Sequence, residues 1–205
     1  MTLFDEIAAE RFDLPGADLC FWRRCDLGAE PAALFADLRE ELAWREESIR
    51  LFGREMLQPR LLAWYGDEGS RYRYSGVLHE PLPMTPRLRQ LRERIEALTG
   101  ARFNSVLANY YRNERDSMGL HADDEPELGD RPVIASLSLG EERIFRLKHR
   151  QRRDIRPLRL PLPSGSLLVM AGDTQRNWKH EVPKQSKACG PRINLTFRWI
   201  RSPAS

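Results

Sequence analysis

From Phe103 onward the chain consists of short apolar segments separated by glycine, proline and charged turns. The segments are rich in β-branched residues, and no helix-length pattern interrupts them. Strands are predicted near 104–111, 133–139, 142–149, 155–160, 166–170 and 192–200. Successive strands without intervening helices favour an antiparallel sandwich or jelly roll over a doubly wound parallel fold.

Two amphipathic helices are predicted before this region. The first runs from Pro31 to Trp44, and the second has Thr85 as its cap, Pro86 at its first position and Gly100 as its stop. Their apolar residues recur at helical spacing: Leu34, Phe35, Leu38 and Leu42 in the first, and Leu88, Leu91, Ile95 and Leu98 in the second. We expect both helices to buttress the sheet.

The segment from about 46 to 80 is aromatic, rich in arginine and punctuated by glycine, so we interpret it as strands and loops that form a lid over a site. A chain of 205 residues can form one domain with a substantial core. We divide it into an N-terminal extension and helix (1–45), a lid and helix (46–100) and the sheet core (101–201).

Charge is nearly balanced, with 33 Lys and Arg against 30 Asp and Glu, a net charge of +3. This excess does not by itself indicate a nucleic-acid binder. Basic residues are concentrated in 143–159, where Asp154 is the one acidic residue. That segment can follow a phosphate backbone, although a solvated hairpin is the alternative.

Cysteine content and the N-terminal sequence suggest a compartment. Cys20, Cys25 and Cys189 form no C-x-x-C pair, which argues against a disulfide framework or a structural zinc site and fits a reducing cytosol. The first residues show no secretory signal, and no apolar stretch approaches the length of a membrane span. We expect a cytoplasmic protein with no membrane association.

The strongest candidate for a metal site combines an H-x-D pair with a distant histidine. His121 and Asp123 follow the strand predicted at 104–111, and His180 precedes the last predicted strand. Two imidazoles and one carboxylate form one face of a divalent iron and leave positions for a keto acid and O₂. Structural zinc generally takes four ligands, often cysteines. An isolated H-x-D is often only a loop hydrogen bond, but distant strand ends can meet at one mouth.

A second pattern lies in the last predicted strand. Arg192 and Arg198 are six residues apart and share one face with Asn194 and Thr196. The opposite face carries Ile193, Leu195 and Phe197. Inward-facing arginines need anionic partners, and their planar forks fit a dicarboxylate. We therefore expect a bound co-substrate, the alternative being a strand with an ordinary polar outer face.

Together these residues resemble the AlkB family of Fe(II)/2-oxoglutarate-dependent nucleic-acid dealkylases. The resemblance covers about 49–200 and is densest in 109–111, 121–125, 132–140, at His180 and in 191–198. It implies a double-stranded β-helix (jelly roll) core, buttressing helices and a nucleotide-recognition lid. Within the family, segments 51–53, 65–67, 72–76 and 121–125 are most similar to the homologue that repairs duplex DNA.

The resemblance also implies residue roles. His121, Asp123 and His180 would hold iron as the catalytic centre. The 2-oxoglutarate site would comprise Asn109, Tyr111 and Arg192 at the distal carboxylate, Arg198 near the carboxylate closest to the metal, and Asn194 and Thr196 in the lining. The alkylated base and its DNA would contact Leu51, Phe52, Gly53, Arg54, Tyr72, Arg73, Tyr74, Asp124 and Glu125.

The implied activity is oxidative demethylation of 1-methyladenine and 3-methylcytosine in DNA, with release of formaldehyde, succinate and CO₂. We expect the protein to be a monomer. Duplex DNA is the favoured substrate and single-stranded DNA the other. Such methylation leaves the ring cationic and easier to extrude, and aromatic faces and carboxylates favour a cation. Phe52 would fill the gap left by the flipped base, although a loop anchor is an equally physical role. Tyr72 and Tyr74 would form an aromatic wall or lie in the core.

Three other functions remain open at this stage. An RNA demethylase would share all of these features. A 2-oxoglutarate oxygenase acting on a protein or a small molecule would keep the iron and arginine motifs but would not need the wedge, the aromatic wall or the basic segment. A nucleic-acid-binding module with an inactive core would not need the full set of ligands.

Overall fold

The computed structural model describes residues 9–51, 54–70, 72–74 and 77–201, with side chains outside 50–54 and 71–79. The strands are β1 (Glu10–Arg11), β2 (Asp18–Trp22), β3 (Ser48–Leu51), β4 (Arg54–Leu57), β5 (Leu61–Gly66), β6 (Tyr72–Tyr74), β7 (Val77–His79), β8 (Leu82–Pro83), β9 (Ser105–Tyr111), β10 (Met118–His121), β11 (Ile134–Gly140), β12 (Arg143–His149), β13 (Leu158–Leu162), β14 (Ser166–Ala171), β15 (Trp178–Val182) and β16 (Arg192–Arg198). The helices are α1 (Pro31–Glu41), α2 (Pro86–Thr99) and α3 (Thr174–Asn177), with a 3-10 turn at Pro126–Leu128.

Two sheets carry the site. The larger has eight strands in the order β1-β2-β14-β11-β16-β9-β5-β8, antiparallel except for the pairing of β5 with β8. The smaller is antiparallel in the order β10-β15-β12-β13. Two-stranded hairpins β3-β4 and β6-β7 are separate from both sheets. The two larger sheets form the mainly β, jelly-roll architecture that the sequence predicts.

Both predicted helices lie on the outer side of the larger sheet. The side chain of Thr85 accepts a hydrogen bond from the Leu88 amide at the start of α2, and Gly100 ends this helix in the left-handed conformation. The helices share a core with the apolar residues of the central strands, namely Leu34, Leu38, Leu88, Leu91, Ile95, Val106, Ala108, Leu137, Ile193, Leu195 and Phe197. They therefore buttress the sheet, as expected.

A second core includes residues of both sheets. It contains Ile134, Leu168 and Met170 from the larger sheet and Phe145, Leu147, Leu160, Leu162, Trp178 and Val182 from the smaller one. The face of β16 that points away from the helices carries polar side chains. Arg192, Asn194 and Thr196 are buried there. Burying them is costly unless they meet partners, so this face is built for a ligand or a polar network.

The structure differs from the sequence predictions at several elements. α1 ends at Glu41 rather than Trp44 because the next residue, Leu42, has extended backbone. β13 begins at Leu158 rather than near 155, since a turn occupies the preceding residues. Strands β2, β10 and β15 were not predicted. β5, which was assigned to the lid, lies in the larger sheet beside β9.

No helix in the described part of the chain combines the length and apolar character needed to cross a bilayer.

Candidate metal and co-substrate site

The three residues expected to bind iron lie together. His121 ends β10 and faces His180 of β15 as its cross-strand partner, with the ring centroids 4.2 Å apart. Asp123 follows two residues after His121. One ligand atom from each residue lies within 4.8 Å of the others. The antiparallel register of two short strands thus places two imidazoles and a carboxylate at one point.

Their hydrogen bonds leave the ligand atoms available. The Nδ1 atom of His121 lies 2.8 Å from the carbonyl oxygen of Gly119, so Nδ1 must donate and Nε2 keeps its lone pair. That Nε2 is 3.8 Å from Oδ1 of Asp123. Oδ2 of Asp123 and Nδ1 of His180 are buried without a hydrogen-bond partner among the described residues. Buried polar atoms are nearly always partnered, so these atoms fit a bound metal ion.

Protonation states in the cluster suit a metal. Burial opposes the charge on Asp123, but Arg198, His180 and His121 together hold its pKa at about 2. Burial, aided by His121, lowers the pKa of His180 to about 3. At neutral pH the cluster therefore offers a carboxylate and a neutral imidazole, which are the forms that bind divalent cations.

A cavity of about 40 Å³ adjoins the three ligands, and we name it the inner cavity. Every residue predicted to bind metal or 2-oxoglutarate lines it: Asn109, Tyr111, His121, Asp123, His180, Arg192, Asn194, Thr196 and Arg198. Residues up to 89 positions apart in the sequence are thus brought to one place, because β9 and β16 are paired in the larger sheet.

Arg192 lies in the inner cavity and is buried, with 1% of its surface exposed. Its Nη2 donates to the hydroxyl of Ser138 at 2.9 Å, while Nε and Nη1 have no hydrogen-bond partner among the described residues. Burial lowers the pKa of Arg192 to about 10, against which the nearby Tyr111 raises it, so the side chain remains cationic at neutral pH. A buried cation with unused donors is suited to a carboxylate of a ligand.

Asn194 and Thr196 are engaged within the sheet. Nδ2 of Asn194 donates to the hydroxyl of Ser136 and to the carbonyl of Leu137, at 2.8 and 2.9 Å. Its Oδ1 accepts from the Thr196 hydroxyl at 3.0 Å. These residues therefore shape the wall of the inner cavity and have few donors left for a ligand.

Arg198, predicted to lie near the 2-oxoglutarate carboxylate closest to the metal, contacts a predicted metal ligand. Its Nη2 donates to Oδ1 of Asp123 at 2.9 Å. The guanidinium therefore also holds the carboxylate in place and in its ionised form.

A larger cavity of about 190 Å³, which we name the outer cavity, adjoins His121 and Asp123 as well. It is lined by Glu47, Gln58, Arg60, Leu62, Trp64, Ser105, Leu107, Met118, His121, Ala122, Asp123, Glu125, Arg198 and Ile200. Oε2 of Glu125 is buried and has no hydrogen-bond partner among the described residues. Glu125 therefore faces the outer cavity, and its contact with a base stays a prediction.

Asp124 does not line either cavity. It forms an ion pair with Arg150, which lies in the turn after β12 within the basic segment. Asp124 is thus linked to the 143–159 segment, and its contact with a base stays a prediction. Side chains alternate regularly along a strand but not along the turn after His121, so the sequence could not assign sides to Asp124 and Glu125.

The remaining substrate residues fall partly outside the described structure. Phe52 and Gly53 lie outside the described residues. Leu51, Arg54, Tyr72, Arg73 and Tyr74 belong to β3, β4 and β6, where the backbone is described. Their roles remain predictions.

Five further residues support the site and were not predicted from the sequence: Gln58, Arg60, Ser136, Ser138 and Arg143. Ser136 and Ser138 alternate with apolar residues on β11, a pattern that could have revealed them. Arg143 is fully buried, and its Nη atoms donate to the carbonyls of Asn113, Asp116 and Pro183 at 3.3, 2.9 and 2.7 Å. No sequence signal distinguishes it or Arg60 from the many exposed arginines.

The chain matches the model of the 2OG-Fe(II) oxygenase superfamily over residues 28–198. The chain belongs to this superfamily. The superfamily is named for Fe(II) and 2-oxoglutarate, so its cofactor is Fe(II) and its co-substrates are 2-oxoglutarate and O₂. The cluster of His121, Asp123 and His180 agrees with an iron site.

Two groups of relatives place the chain in the AlkB family, which confirms the resemblance drawn from the motifs. It is 42% identical to the human alpha-ketoglutarate-dependent dioxygenase alkB homolog 3, over 82% of this chain and 60% of that protein. It is 39% identical to the human DNA oxidative demethylase ALKBH2, over 84% of this chain and 69% of that protein. The plant relative of that name, from Arabidopsis thaliana, is 38% identical over 90% of this chain and 67% of its own length.

The chain is about equally similar to the two human relatives. It spans 50–62% of the length of the four mammalian alkB homolog 3 proteins that it matches. The solved structure of OsALKBH1 shares the fold, with a TM-score of 0.62 at 16% identity, over 93% of this chain and 99% of that one.

Proposed function

We propose that this chain is an Fe(II)/2-oxoglutarate-dependent demethylase of N-alkylated bases in DNA. The observation that carries the proposal is that the predicted metal and co-substrate residues all line one cavity, directly beside a larger cavity that can take a base. Relatives named as a DNA oxidative demethylase support DNA as the target.

In this proposal His121, Asp123 and His180 hold the iron. When bound, Fe(II) together with 2-oxoglutarate and O₂ supplies the oxidising power that hydroxylates an N-methyl group, which then leaves as formaldehyde. Asn109, Tyr111 and Arg192 bind the distal carboxylate of 2-oxoglutarate. Arg198 keeps Asp123 ionised and oriented through their 2.9 Å hydrogen bond. Asn194 and Thr196 complete the wall.

The outer cavity provides electrostatic selection for a damaged base. Methylation at N1 of adenine or N3 of cytosine creates a cationic ring, whereas the undamaged bases are neutral. The carboxylate of Glu125 has a buried oxygen without a partner among the described residues and lies on the wall of that cavity. A cationic ring would satisfy this oxygen, and a neutral base would gain less from it.

DNA contacts outside the cavities follow from the sequence and from the basic segment. Phe52 with Leu51 would take the space of the flipped base, and Tyr72 and Tyr74 would stack on it. The 143–159 segment includes exposed Arg152 and Arg153 and is joined to the metal-binding turn by the Asp124–Arg150 ion pair. These two observations support a contact of this segment with phosphates near the bound base.

A direct assay tests the proposal. Purified protein with Fe(II), 2-oxoglutarate and an oligonucleotide that carries 1-methyladenine should release formaldehyde and restore adenine. Matched single-stranded DNA, duplex DNA and RNA substrates should be compared, with duplex DNA expected to react fastest. Faster reaction of RNA would favour the RNA alternative, and turnover of 2-oxoglutarate with no loss of the methyl group from any strand would contradict base repair.

A Phe52→Ala variant separates a wedge from a loop anchor. A wedge is needed only where a base must leave a duplex, so the duplex rate should fall more than the single-strand rate. Equal losses would indicate that Phe52 anchors the lid.

We also propose a cytoplasmic monomer. Cys20, Cys25 and Cys189 are free in the structure, which supports a reducing compartment. Sedimentation of the purified chain with and without a duplex tests the oligomeric state.

A further inference from the structure

Arg60 is a buried arginine between the two cavities that the mechanism above does not use. It is 4% exposed and lies immediately before β5. Its Nε donates to Oδ1 of Asn109 at 2.8 Å, its Nη2 to Oε1 of Gln58 at 2.6 Å and its Nη1 to the carbonyl of Ser117 at 3.4 Å. No carboxylate pairs with it in the described part of the chain, so its role is not that of an ion-pair partner.

The first of these bonds fixes the direction of the Asn109 amide. A guanidinium has only donors, so the atom of Asn109 that faces Nε must be its oxygen. The Nδ2 group is then turned away from Arg60, and no described residue accepts a hydrogen bond from it. Asn109 lines the inner cavity, so its unused donor is available to a ligand there.

The cross-strand partner of Asn109 shows the contrast. Asn194 lies directly opposite it in the pairing of β9 with β16. Both halves of the Asn194 amide are bonded within the protein, to Ser136, Leu137 and Thr196. Asn109 alone of this pair keeps an N–H group for the cavity, and Arg60 is the residue that reserves it.

We infer that Arg60 is a positioning residue for 2-oxoglutarate: it locks Asn109 so that Nδ2, rather than Oδ1, faces the co-substrate carboxylate. The inference rests on the proposed role of Asn109 at the distal carboxylate. Without Arg60 the amide is free to flip, and an oxygen facing a carboxylate repels it where Nδ2 attracts it. The buried, unneutralised charge of Arg60 also favours an anion nearby.

The same fork acts on the outer cavity. Arg60 donates to Oε1 of Gln58, so this oxygen faces the guanidinium. The Gln58 amide nitrogen donates to no described residue and is available to a ligand in that cavity. One guanidinium therefore sets a donor toward each cavity.

The test is binding of 2-oxoglutarate by calorimetry, without O₂ and with Mn(II) in place of iron. Arg60→Met and Asn109→Ala should each weaken binding about tenfold or more. In both variants the hydrogen bond from Nδ2 of Asn109 to the charged carboxylate of 2-oxoglutarate is lost. The double variant should bind like Asn109→Ala, since Arg60 acts through Asn109. Gln58→Leu leaves the Arg60–Asn109 bond intact, so it should keep the 2-oxoglutarate affinity and raise the KM for the oligonucleotide.

The inference would be overturned if the double variant lost affinity by the product of the two single losses, or if Arg60→Met bound 2-oxoglutarate as tightly as the wild type. Neither result would affect the proposed function. Wild-type protein that bound no 2-oxoglutarate would overturn the assignment of the inner cavity and the inference with it. Mn(II) affinity measured by electron paramagnetic resonance should be unchanged in every folded variant, and a parallel loss of it would point to a structural role. If Arg60→Met does not fold, Arg60→Lys keeps the charge without the planar guanidinium. Its loss of 2-oxoglutarate affinity should likewise disappear when Asn109→Ala is already present.

Discussion

The inner and outer cavities share five residues, among them His121, Asp123 and Arg198, but are built in different ways. The inner cavity is lined largely by strands of the two packed sheets. Its polar side chains Asn109, Arg192, Asn194 and Thr196 each have at least one hydrogen bond to a neighbouring side chain. The outer cavity draws on the loop before β5, on the turn after β10 and on residues close to the lid. Oε2 of Glu125 and the amide nitrogen of Gln58, both in this cavity, have no hydrogen-bond partner among the described residues.

The difference separates two tasks. Sheet register fixes the inner cavity, as a site for a metal and an invariant small co-substrate requires. Loops and turns form much of the outer cavity, and loops are where substrate choice is usually made. Substitutions in the inner cavity should therefore affect every substrate equally, whereas those in the outer cavity should discriminate among substrates.

The largest effect is expected at the residues shared by both cavities. Asp123→Asn removes the charge of a proposed metal ligand and the ion-pair partner of Arg198. Metal binding, measured by Mn(II) electron paramagnetic resonance, and demethylation of every substrate should fall below detection. His121→Ala should likewise abolish turnover. The matched control Asp37→Asn alters an aspartate of α1 paired with Arg87 and should leave both properties unchanged; retained metal affinity in Asp123→Asn would remove the basis for the comparison.

A second, inner-cavity variant should separate binding from stability. Arg192→Met removes a buried cation that has no acidic partner among the described residues, so the free energy of unfolding in urea should rise by about 1–2 kcal/mol. Binding of 2-oxoglutarate, measured by calorimetry, should weaken about a hundredfold, because up to two charge-assisted hydrogen bonds are lost.

The matched control has the opposite sign. Arg112→Met breaks a pair with the buried carboxylate of Asp116, so it should lower stability and leave 2-oxoglutarate binding intact. A destabilised Arg192→Met protein would show that this guanidinium is satisfied within the fold and is not held ready for a ligand.

A smaller and selective effect is expected in the outer cavity. Glu125→Gln removes the negative charge from the wall, so kcat/KM for cationic 1-methyladenine should fall about tenfold. The value for a neutral etheno adduct should change less. Glu127→Gln, two residues further along the same turn and outside both cavities, is the control. Equal losses on the two lesions would assign Glu125 a structural role and weaken the division of tasks.

The smallest effect should come from the basic segment. Arg150→Gln removes one cation from the turn and breaks its pair with Asp124. Duplex affinity should fall a few-fold, and the slope of log K against log salt should decrease by about one if Arg150 reaches a phosphate. Arg24→Gln, an exposed arginine paired with Glu30, is the control. An unchanged slope would mean that Arg150 serves only to hold Asp124.

The sequence predicted the inner cavity better than the outer one, and the reason is periodicity. Alternation along β16 correctly placed Arg192, Asn194 and Thr196 inward and Ile193 and Phe197 on the helix side. The ends of α2 were also predictable, because the residues that cap a helix lie next to it in the sequence. The family motifs then named the metal ligands, and the register of β10 with β15 brought them together.

Features that depend on distant contacts could not be read from the sequence. Arg60 reaches Asn109 across 49 positions, and nothing in its local sequence shows that it is buried. β15 does alternate, with Trp178, His180 and Val182 buried, but five residues between loops are too short a pattern to predict a strand. The different directions of Asp124 and Glu125 arise in a turn, where no period applies.

The position of β2 has a practical consequence for anyone who shortens this protein. Residues 18–22, which carry no motif, pair with residues 167–171 of β14, and Leu19 and Phe21 belong to the core that includes both sheets. A version that began at Pro31 would lose that cover and leave β14 as a bare, apolar sheet edge. Such edges pair with other chains, so the trimmed protein should form aggregates even though every residue of both cavities is retained.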